Sequence, residues 1–254
     1  MTVASNGHQQ RPSALVVAAK AALVGEVKTR LCPPLTLPQA RRLYECLLED
    51  IVAKMGTYDA AEFWIAFAPK GEDYFRRNFA QRRKLLSQRG SNLGERVHHI
   101  FVDLFHLGYK EVIVTDSDSP TVPLSSIAQG FQLLHTDGND VVLGPSRDGG
   151  YYLIGLKSPT EGLFRQIPWS SADVLEQTMK RASMLGLKTA LLPPSYDIDV
   201  EGDLRQLWED LKASLELQGR APRTSSFLRD LLTDPGLELG EHAPLPLRDD
   251  NKRA

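Results

Sequence analysis

The sequence predicts an α/β fold: a mixed, mostly parallel sheet flanked by helices on both faces. Three observations carry this expectation. Short apolar runs alternate with segments of helical periodicity from Ala14 to about Leu192. The runs are continuously apolar rather than alternating, so both faces of the sheet must be covered. The chain of 254 residues is 42% hydrophobic and 24% charged, an ordinary globular balance with enough apolar matter for a core. No repeat of fixed period is present, and a single domain is expected over residues 13–233.

The elements follow in order. Ala14-Leu-Val-Val-Ala-Ala19 reads as a buried strand, followed by a polar loop from Lys20 to Leu31. Pro38 to Met55 is helical: Ala40, Leu43, Leu47, Leu48, Ile51 and Val52 share one face, and Pro38 suits the first turn. Phe63 to Ala68 is a second strand, stopped by Pro69. A helix from Leu93 to Leu107 ends at Gly108, and Glu111 to Thr115 is a third strand. Leu124 to Leu134 is helical, and Asp140 to Gly144 and Tyr151 to Leu156 are strands four and five. A helix from Ala172 to Leu185, a strand from Lys188 to Leu192 and a helix from Asp203 to Leu217 complete the pattern. Residues 1–12 read as a disordered leader and residues 234–254 as a loosely ordered tail.

The bulk properties exclude several classes. With 30 basic and 32 acidic residues there is no basic excess of the kind nucleic-acid binding needs. The local clusters Arg76-Arg77 and Arg82-Arg83-Lys84 read as a solvated helix face. No apolar run approaches a membrane span, and the leader lacks the apolar centre of a signal peptide. Cys32 and Cys46 form no CxxC pair, so two free thiols in a reducing cytoplasm are expected. The six histidines show no ligand pair, and the adjacent His98 and His99 face different ways on a helix.

Ligands of open α/β sheets bind beyond the carboxyl ends of the strands, so those loops are where chemistry belongs. After the first strand, Lys20, Lys28 and Arg30 crowd into a loop with Gly25. Such a loop can wrap a phosphate chain, although the Walker A spacing is absent and a solvated basic turn is the plainer alternative. After the third strand, Asp116 and Asp118 stand two residues apart before Pro120. Paired carboxylates suit magnesium or manganese shared with substrate phosphates, but Asp and Ser before Pro also make ordinary helix caps. After the fourth strand, Arg147-Asp148-Gly149-Gly150 is either a hairpin turn or a ligand-facing loop. After the sixth, Asp199 and Asp203 precede a helix, and capping explains at least one of them. A cationic loop and several separated carboxylates at the strand ends of one sheet are together what a metal–diphosphate site requires.

These residues resemble the small bacterial DUF2064 family of GT-A-like nucleotide-diphospho-sugar transferases, regarded as glycosyltransferases of arsenosugar or radical-SAM gene clusters. The resemblance runs from about Ala14 to Leu232. It rests on Gly25-Glu-Val-Lys-Thr-Arg-Leu31, Gln88-Arg-Gly-Ser-Asn-Leu-Gly-Glu-Arg96, Asp118-Ser-Pro120, Gly144-Pro-Ser-Arg-Asp-Gly-Gly-Tyr-Tyr-Leu-Ile-Gly155, Ile167-Pro-Trp-Ser-Ser171 and Asp197-Ile-Asp199. It implies a Rossmann-like GT-A sheet with a nucleotide over its N-terminal half. By the same resemblance Lys20, Gly25, Lys28 and Arg30 are phosphate-side residues, and Gln88, Gly90, Leu93, Gly94 and Arg96 lie near base and ribose. Asp118 and Asp199 are the expected metal ligands, with Asp116 a third candidate. Asp148 is the candidate base, and Gly149, Gly150, Tyr151 and Trp169 are acceptor-side, with a packed core role the alternative for Trp169. The chain departs from the family pattern at Asp116, where Gly is usual, at Ala22, where Pro is usual, and at Val200-Glu201, where Thr-Pro is typical.

The expected function is therefore transfer of a sugar from a nucleoside-diphosphate sugar to a small-molecule acceptor, with Mg2+ or Mn2+ as cofactor. Nucleotidyl transfer to a phosphorylated acceptor is the enzymatic rival, and an inactive nucleotide-binding scaffold is the rival from another class. No nucleic-acid partner is expected, and a homodimer is an open arrangement.

Overall fold

The computed structural model describes residues 13–81, 83–135 and 138–232. The expected leader, the expected tail and Arg82 of the basic cluster lie outside the described residues. The strands are β1 (Ser13–Ala19), β2 (Glu62–Phe67), β3 (Lys84–Ser87), β4 (Glu111–Thr115), β5 (Val141–Pro145), β6 (Tyr151–Leu156) and β7 (Thr189–Leu191). The helices are α1 (Leu37–Met55), α2 (Glu72–Phe79), α3 (Leu93–His106), α4 (Leu124–His135), α5 (Val174–Met184), α6 (Glu201–Ala213), α7 (Leu215–Arg220) and α8 (Pro222–Leu232). The strands form one sheet in the order β3-β2-β1-β4-β6-β5-β7. Only β6 is reversed, antiparallel to both β4 and β5, so the sheet is mixed and mostly parallel as the sequence predicts. The reversal follows from chain length: only five residues join β5 to β6, enough for a hairpin but not for a crossover.

Alternate side chains of each strand enter opposite cores. Leu15 and Val17 of β1 join Leu48, Ile51 and Val52 of α1 and Phe131 and Leu134 of α4 on one face. Ala14 and Val16 join Ile100, Phe101 and Leu104 of α3 on the other. A third cluster lies behind α1, where Leu43 and Leu47 meet Leu204, Leu207 and Leu211 of α6 and Leu228 of α8. α1 therefore buries two faces, which explains its length of 19 residues and its wide apolar surface. Its start is fixed by a capping box in which Thr36 Oγ1 accepts from Gln39 N–H at 3.4 Å and Gln39 Oε1 accepts from Thr36 N–H at 2.8 Å.

Several elements differ from expectation, each for a physical reason. β3 is a four-residue edge strand, Lys-Leu-Leu-Ser, too short and too exposed to make an apolar run. α2 buries Phe75 and turns Arg76 and Arg77 outward, as the solvated-face reading expects; Arg83 and Lys84 instead lie over the Phe63 and Trp64 rings. The helix expected over Asp203–Leu217 breaks at Ser214, whose extended backbone ends α6 and whose Oγ accepts from Leu217 N–H at 3.3 Å to start α7. α5 begins at Val174 rather than Ala172. α8 has no counterpart in the sequence reading. Its start is closed by the buried Asp50 of α1, whose carboxylate accepts from Arg223 N–H at 3.2 Å and Thr224 N–H at 2.8 Å.

Candidate active site

The chain runs outward from β1 through β2 to β3, then returns to the other side of β1 as β4. This reversal opens a crevice between the carboxyl ends of β1 and β4, the usual ligand position in such sheets. Two loops rim it: residues 20–31 after β1 and residues 116–122 after β4. Tyr44 of α1 joins them from below. Its buried hydroxyl accepts from Lys20 N–H at 3.0 Å, donates to Lys20 O at 3.2 Å and lies 2.9 Å from Ser117 Oγ. Burial raises the Tyr44 phenol far above its ordinary pKa, so it stays neutral and works as a strut. The second loop is held again from outside: Lys54 Nζ donates to Pro120 O at 2.5 Å and Arg220 to Thr121 O at 3.1 Å. None of Tyr44, Lys54 and Arg220 carries a local sequence signal for this role.

Within the crevice the cations and carboxylates meet one another. Lys28 is buried, its backbone is left-handed (φ 52°), and its Nζ lies 3.1 Å from Asp118 Oδ2. Burial works against its charge, but Asp118, then Asp199 and Asp197, outweigh that and hold its pKa above the ordinary value. Arg30 is exposed and pairs with Asp199. Ile198 N–H donates to Asp118 O at 3.1 Å, which brings the two metal-ligand candidates' segments side by side although 81 residues separate them. Asp203, expected as a helix cap, is one: its Oδ2 accepts from Asp199 N–H at 3.0 Å and Val200 N–H at 2.8 Å.

Asp116 behaves differently from Asp118. Its carboxylate folds back on its own loop, accepting from Asp118 N–H at 3.3 Å, Ser119 N–H at 3.2 Å and Ser119 Oγ at 2.7 Å. Burial and then the neighbouring Asp118 charge push its pKa up, against the Ser119 hydroxyl. Asp116 is thus a half-buried turn-former, whereas Asp118 keeps one buried oxygen, Oδ1, without a hydrogen-bond partner among the described residues. A buried carboxylate oxygen without a partner is open to a cation. Among the described residues no group of three His, Cys, Asp or Glu could hold a metal by itself. Asp118 and Asp199 nonetheless fit magnesium or manganese, which commonly take one or two carboxylates and complete their shell with water and substrate phosphate.

The β5–β6 hairpin lies beside this set. Asp148 is exposed at its tip, and its Oδ1 accepts from Gly150 N–H at 2.9 Å. Gly149 has φ +91°, and a Cβ there would stand 2.0 Å from Ala172 O, so only glycine lets the hairpin dock on the start of α5. Asp148 therefore sits in a plain hairpin turn that also faces the crevice: its charge, after burial, is the next cause raising Asp197 to about 6. Ser146 Oγ holds Asp197 at 3.0 Å.

The remaining expected residues gather elsewhere. Gln88 is buried at the end of β3 and donates to Ala66 O at 2.8 Å. Gly90 (φ +135°) turns the chain into α3, where Leu93 is exposed, Gly94 buried and Arg96 half-buried. The Trp169 indole lies against Gly94, where a Cβ would come within 2.4 Å of Nε1. This contact joins the segment expected at the base to the aromatic expected at the acceptor. The side chain of Tyr151 packs into the α3-side core, edge-on to Trp169 at 6.5 Å, with its hydroxyl buried, while its backbone opens β6. Gly94 and Trp169 line a cavity of about 1030 Å3 between α3 and α5.

Residues 51–171 match the family described as "Uncharacterized protein conserved in bacteria (DUF2064)". Over that stretch the chain is similar to the DUF2064 proteins. The matched stretch takes in Gln88–Arg96, Asp118, the hairpin and Trp169 but neither the loop of Lys28 nor Asp199. A solved structure from Desulfovibrio desulfuricans G20, described as a "putative nucleotide-diphospho-sugar transferase", is 29% identical with a TM-score of 0.80, covering 87% of this chain and 95% of that one. The fold alone is shared with 4-diphosphocytidyl-2C-methyl-D-erythritol synthase of Anaerococcus prevotii DSM 20548 (9% identity, TM-score 0.53, 87% of this chain and 97% of that one). It is likewise shared with a cytidylyltransferase of Leptospira borgpetersenii serovar Hardjo-bovis strain JB197 (11%, 0.51, 92% and 99%). No curated protein matches the chain. The chain thus shares its α/β, Rossmann-like fold with that putative nucleotide-diphospho-sugar transferase. Among the described residues no helix is long and apolar enough to cross a membrane.

Proposed function

We propose that the protein transfers a sugar from a nucleoside-diphosphate sugar to the hydroxyl of a small acceptor, using Mg2+ or Mn2+. The observation that carries this reading is the Asp118 carboxylate at the β1–β4 switch point, with Oδ2 on the buried Lys28 and Oδ1 without a partner among the described residues. Asp118 and Asp199 would hold the metal, which when bound neutralises the leaving diphosphate. Lys28 and Arg30 take the phosphate oxygens, so charge developing on the leaving group meets cations already in position. The bond from the anomeric carbon to the diphosphate oxygen breaks with its electron pair leaving on the diphosphate. The acceptor oxygen forms the new bond, and its proton passes to Asp148, the exposed carboxylate on the neighbouring hairpin. Tyr44 and Lys54 touch no substrate in this scheme; they hold the two loops at one spacing.

Lys28 and Arg30 would also suit a nucleoside triphosphate, so nucleotidyl transfer with loss of pyrophosphate is the second reading. Product analysis separates them. The purified protein, incubated with manganese, a panel of nucleoside-diphosphate sugars and simple polyol acceptors, is expected to release nucleoside diphosphate. Release of pyrophosphate from GTP or CTP would overturn the glycosyl reading. Calorimetry with UDP and GDP, with and without manganese, addresses the scaffold alternative: no metal-dependent binding would leave a protein with no transfer to perform.

A further inference from the structure

The cavity between α3 and α5 uses residues for which the transfer reaction above has no work. One wall is the first turns of α3. The other is the segment 161–169, a 3-10 turn (Glu161–Phe164) followed by a loop that ends at Trp169. Two features set this loop apart. Among the described residues three other than glycine have positive φ, namely Lys28, Gln166 and Ser170; Gln166 lies in this loop and Ser170 directly follows it. Left-handed backbone at such residues persists where the surroundings impose it, and it clusters at ligand sites. The Gln166 backbone turned this way carries its side-chain oxygen to Arg181 of α5.

The charges lining the cavity are nearly all committed, with one exception. Arg89 forms a two-point pair with Asp103, at 2.6 and 3.3 Å. Arg165 is paired with Glu161 one turn away. Glu95 is spent on the start of α3, accepting from Ser91 N–H and Oγ, each at 2.8 Å, and its pKa is lowered by those bonds. Arg181 is half-buried and meets no carboxylate among the described residues; the neutral Gln166 amide oxygen is its partner. A guanidinium has five donors in a planar fork, and one amide oxygen leaves most of them open. Trp169, Phe164 and His98 add an aromatic wall, His98 lying 5.8 Å from Phe164 between ring centroids.

We propose that this cavity binds a small molecule carrying an acid group, a phosphate or a carboxylate, which Arg181 receives while Trp169 covers the organic body. Arg181 is matched to this role by fork geometry: paired N–H donors meet paired oxygens. The site is separate from the diphosphate crevice but not isolated from it, since Trp169 touches Tyr151, the first residue after the Asp148 hairpin. Where the transferase reading holds, the occupant is the acceptor. The acid group is then its anchor, and a hydroxyl elsewhere on it reaches Asp148. That identification rests on the transferase reading; the binding of an anion does not.

Titration of the wild-type protein with phenyl phosphate and with benzoate, followed by Trp fluorescence and calorimetry, tests the site without any nucleotide. At least one of the two is expected to bind, with benzyl alcohol, the neutral match, at least tenfold weaker. Arg181→Gln should weaken the anion at least tenfold, Arg181→Lys should restore part of the loss, and Lys212→Ala, at an exposed lysine outside both sites, should leave binding unchanged. Thermal melting checks that each variant is folded. Failure of both anions to bind, equal binding of benzyl alcohol, indifference to Arg181→Gln, or equal loss in Lys212→Ala would each overturn the proposal. Nucleotide binding and turnover are read in separate titrations, so an empty cavity and an inactive transferase are distinguishable results.

Discussion

Lys28 and Arg30 leave the same loop two residues apart, and each meets an aspartate distant in sequence, yet the two pairs are physically different. Lys28 and Asp118 have side chains 5% and 31% exposed; Arg30 and Asp199 are 69% and 40% exposed. Water screens the outer pair, so its expected worth is about 0–1 kcal/mol. The inner pair lies where a charge without its partner is expensive, and breaking such a pair costs about 3–5 kcal/mol. A third cation completes the series. Lys54 is mostly buried and has a carbonyl, Pro120 O, rather than a carboxylate as its partner among the described residues. Burial, followed by the Arg220 charge, lowers its pKa to about 8. Depth and partner, not residue type, decide whether a lysine here is held charged or pressed toward neutrality.

The largest expected effect comes from removing the inner carboxylate. Asp118→Ala strands the Lys28 ammonium and is expected to lose about 3 kcal/mol in urea denaturation, whereas Asp199→Ala loses at most about 1. The same substitution should abolish metal-dependent nucleotide binding in calorimetry. Asp116→Gly should retain much of that binding, because Asp116 already spends its oxygens on the turn of Asp118 and Ser119. Equal loss of nucleotide in both variants would make the two aspartates a single metal motif and break the distinction drawn between them.

This contrast shows what a sequence can and cannot carry. That Asp118 follows a strand end and Asp199 precedes a helix was legible, because continuous apolar runs place the strands and helical periodicity places α6. The hairpin at Asp148-Gly149-Gly150 and the cap at Asp203 were legible from turn and cap chemistry. Depth was not: nothing local distinguishes Lys28, turned inward by a left-handed backbone, from Arg30, which faces water. Partners distant in sequence were equally hidden. Asp50 caps α8 across 173 residues, Tyr44 braces two loops it does not adjoin, and Trp169 finds Gly94 only once the segment 161–169 is packed beside α3. β3 and α8 were missed because an edge strand of four residues and a helix capped from elsewhere lack the signals that local periodicity supplies.

Lys54 gives a pH test of the same comparison. Its folded pKa, about 8, lies below the ordinary value of 10.5, so between those values the unfolded chain binds more protons than the native one. Stability therefore rises with pH through that window, while below it the penalty of the buried charge is fully present. The rise between pH 7.5 and 10 is expected to be on the order of 2 kcal/mol by urea denaturation and to disappear in Lys54→Met. A slope unchanged in that variant would show that Lys54 is as well solvated as Arg30.

The smallest effect on stability should come from Arg30, and it is the sharpest separation of structure from function. Arg30→Gln removes an exposed pair that salt already screens, since charges in water fade over about 8 Å at physiological ionic strength. Its loss in urea denaturation should stay within about 0.5 kcal/mol and vanish near 0.5 M NaCl. Nucleoside-diphosphate affinity should nonetheless fall about tenfold, because in the proposed transfer the guanidinium that costs little to remove from the free protein is one of two cations facing the phosphates. Lys28→Met should show the two losses together. If Arg30→Gln instead destabilised the fold as much as Lys28→Met while sparing the nucleotide, the outer pair would be the structural one, and the assignment of the two cations would have to be exchanged.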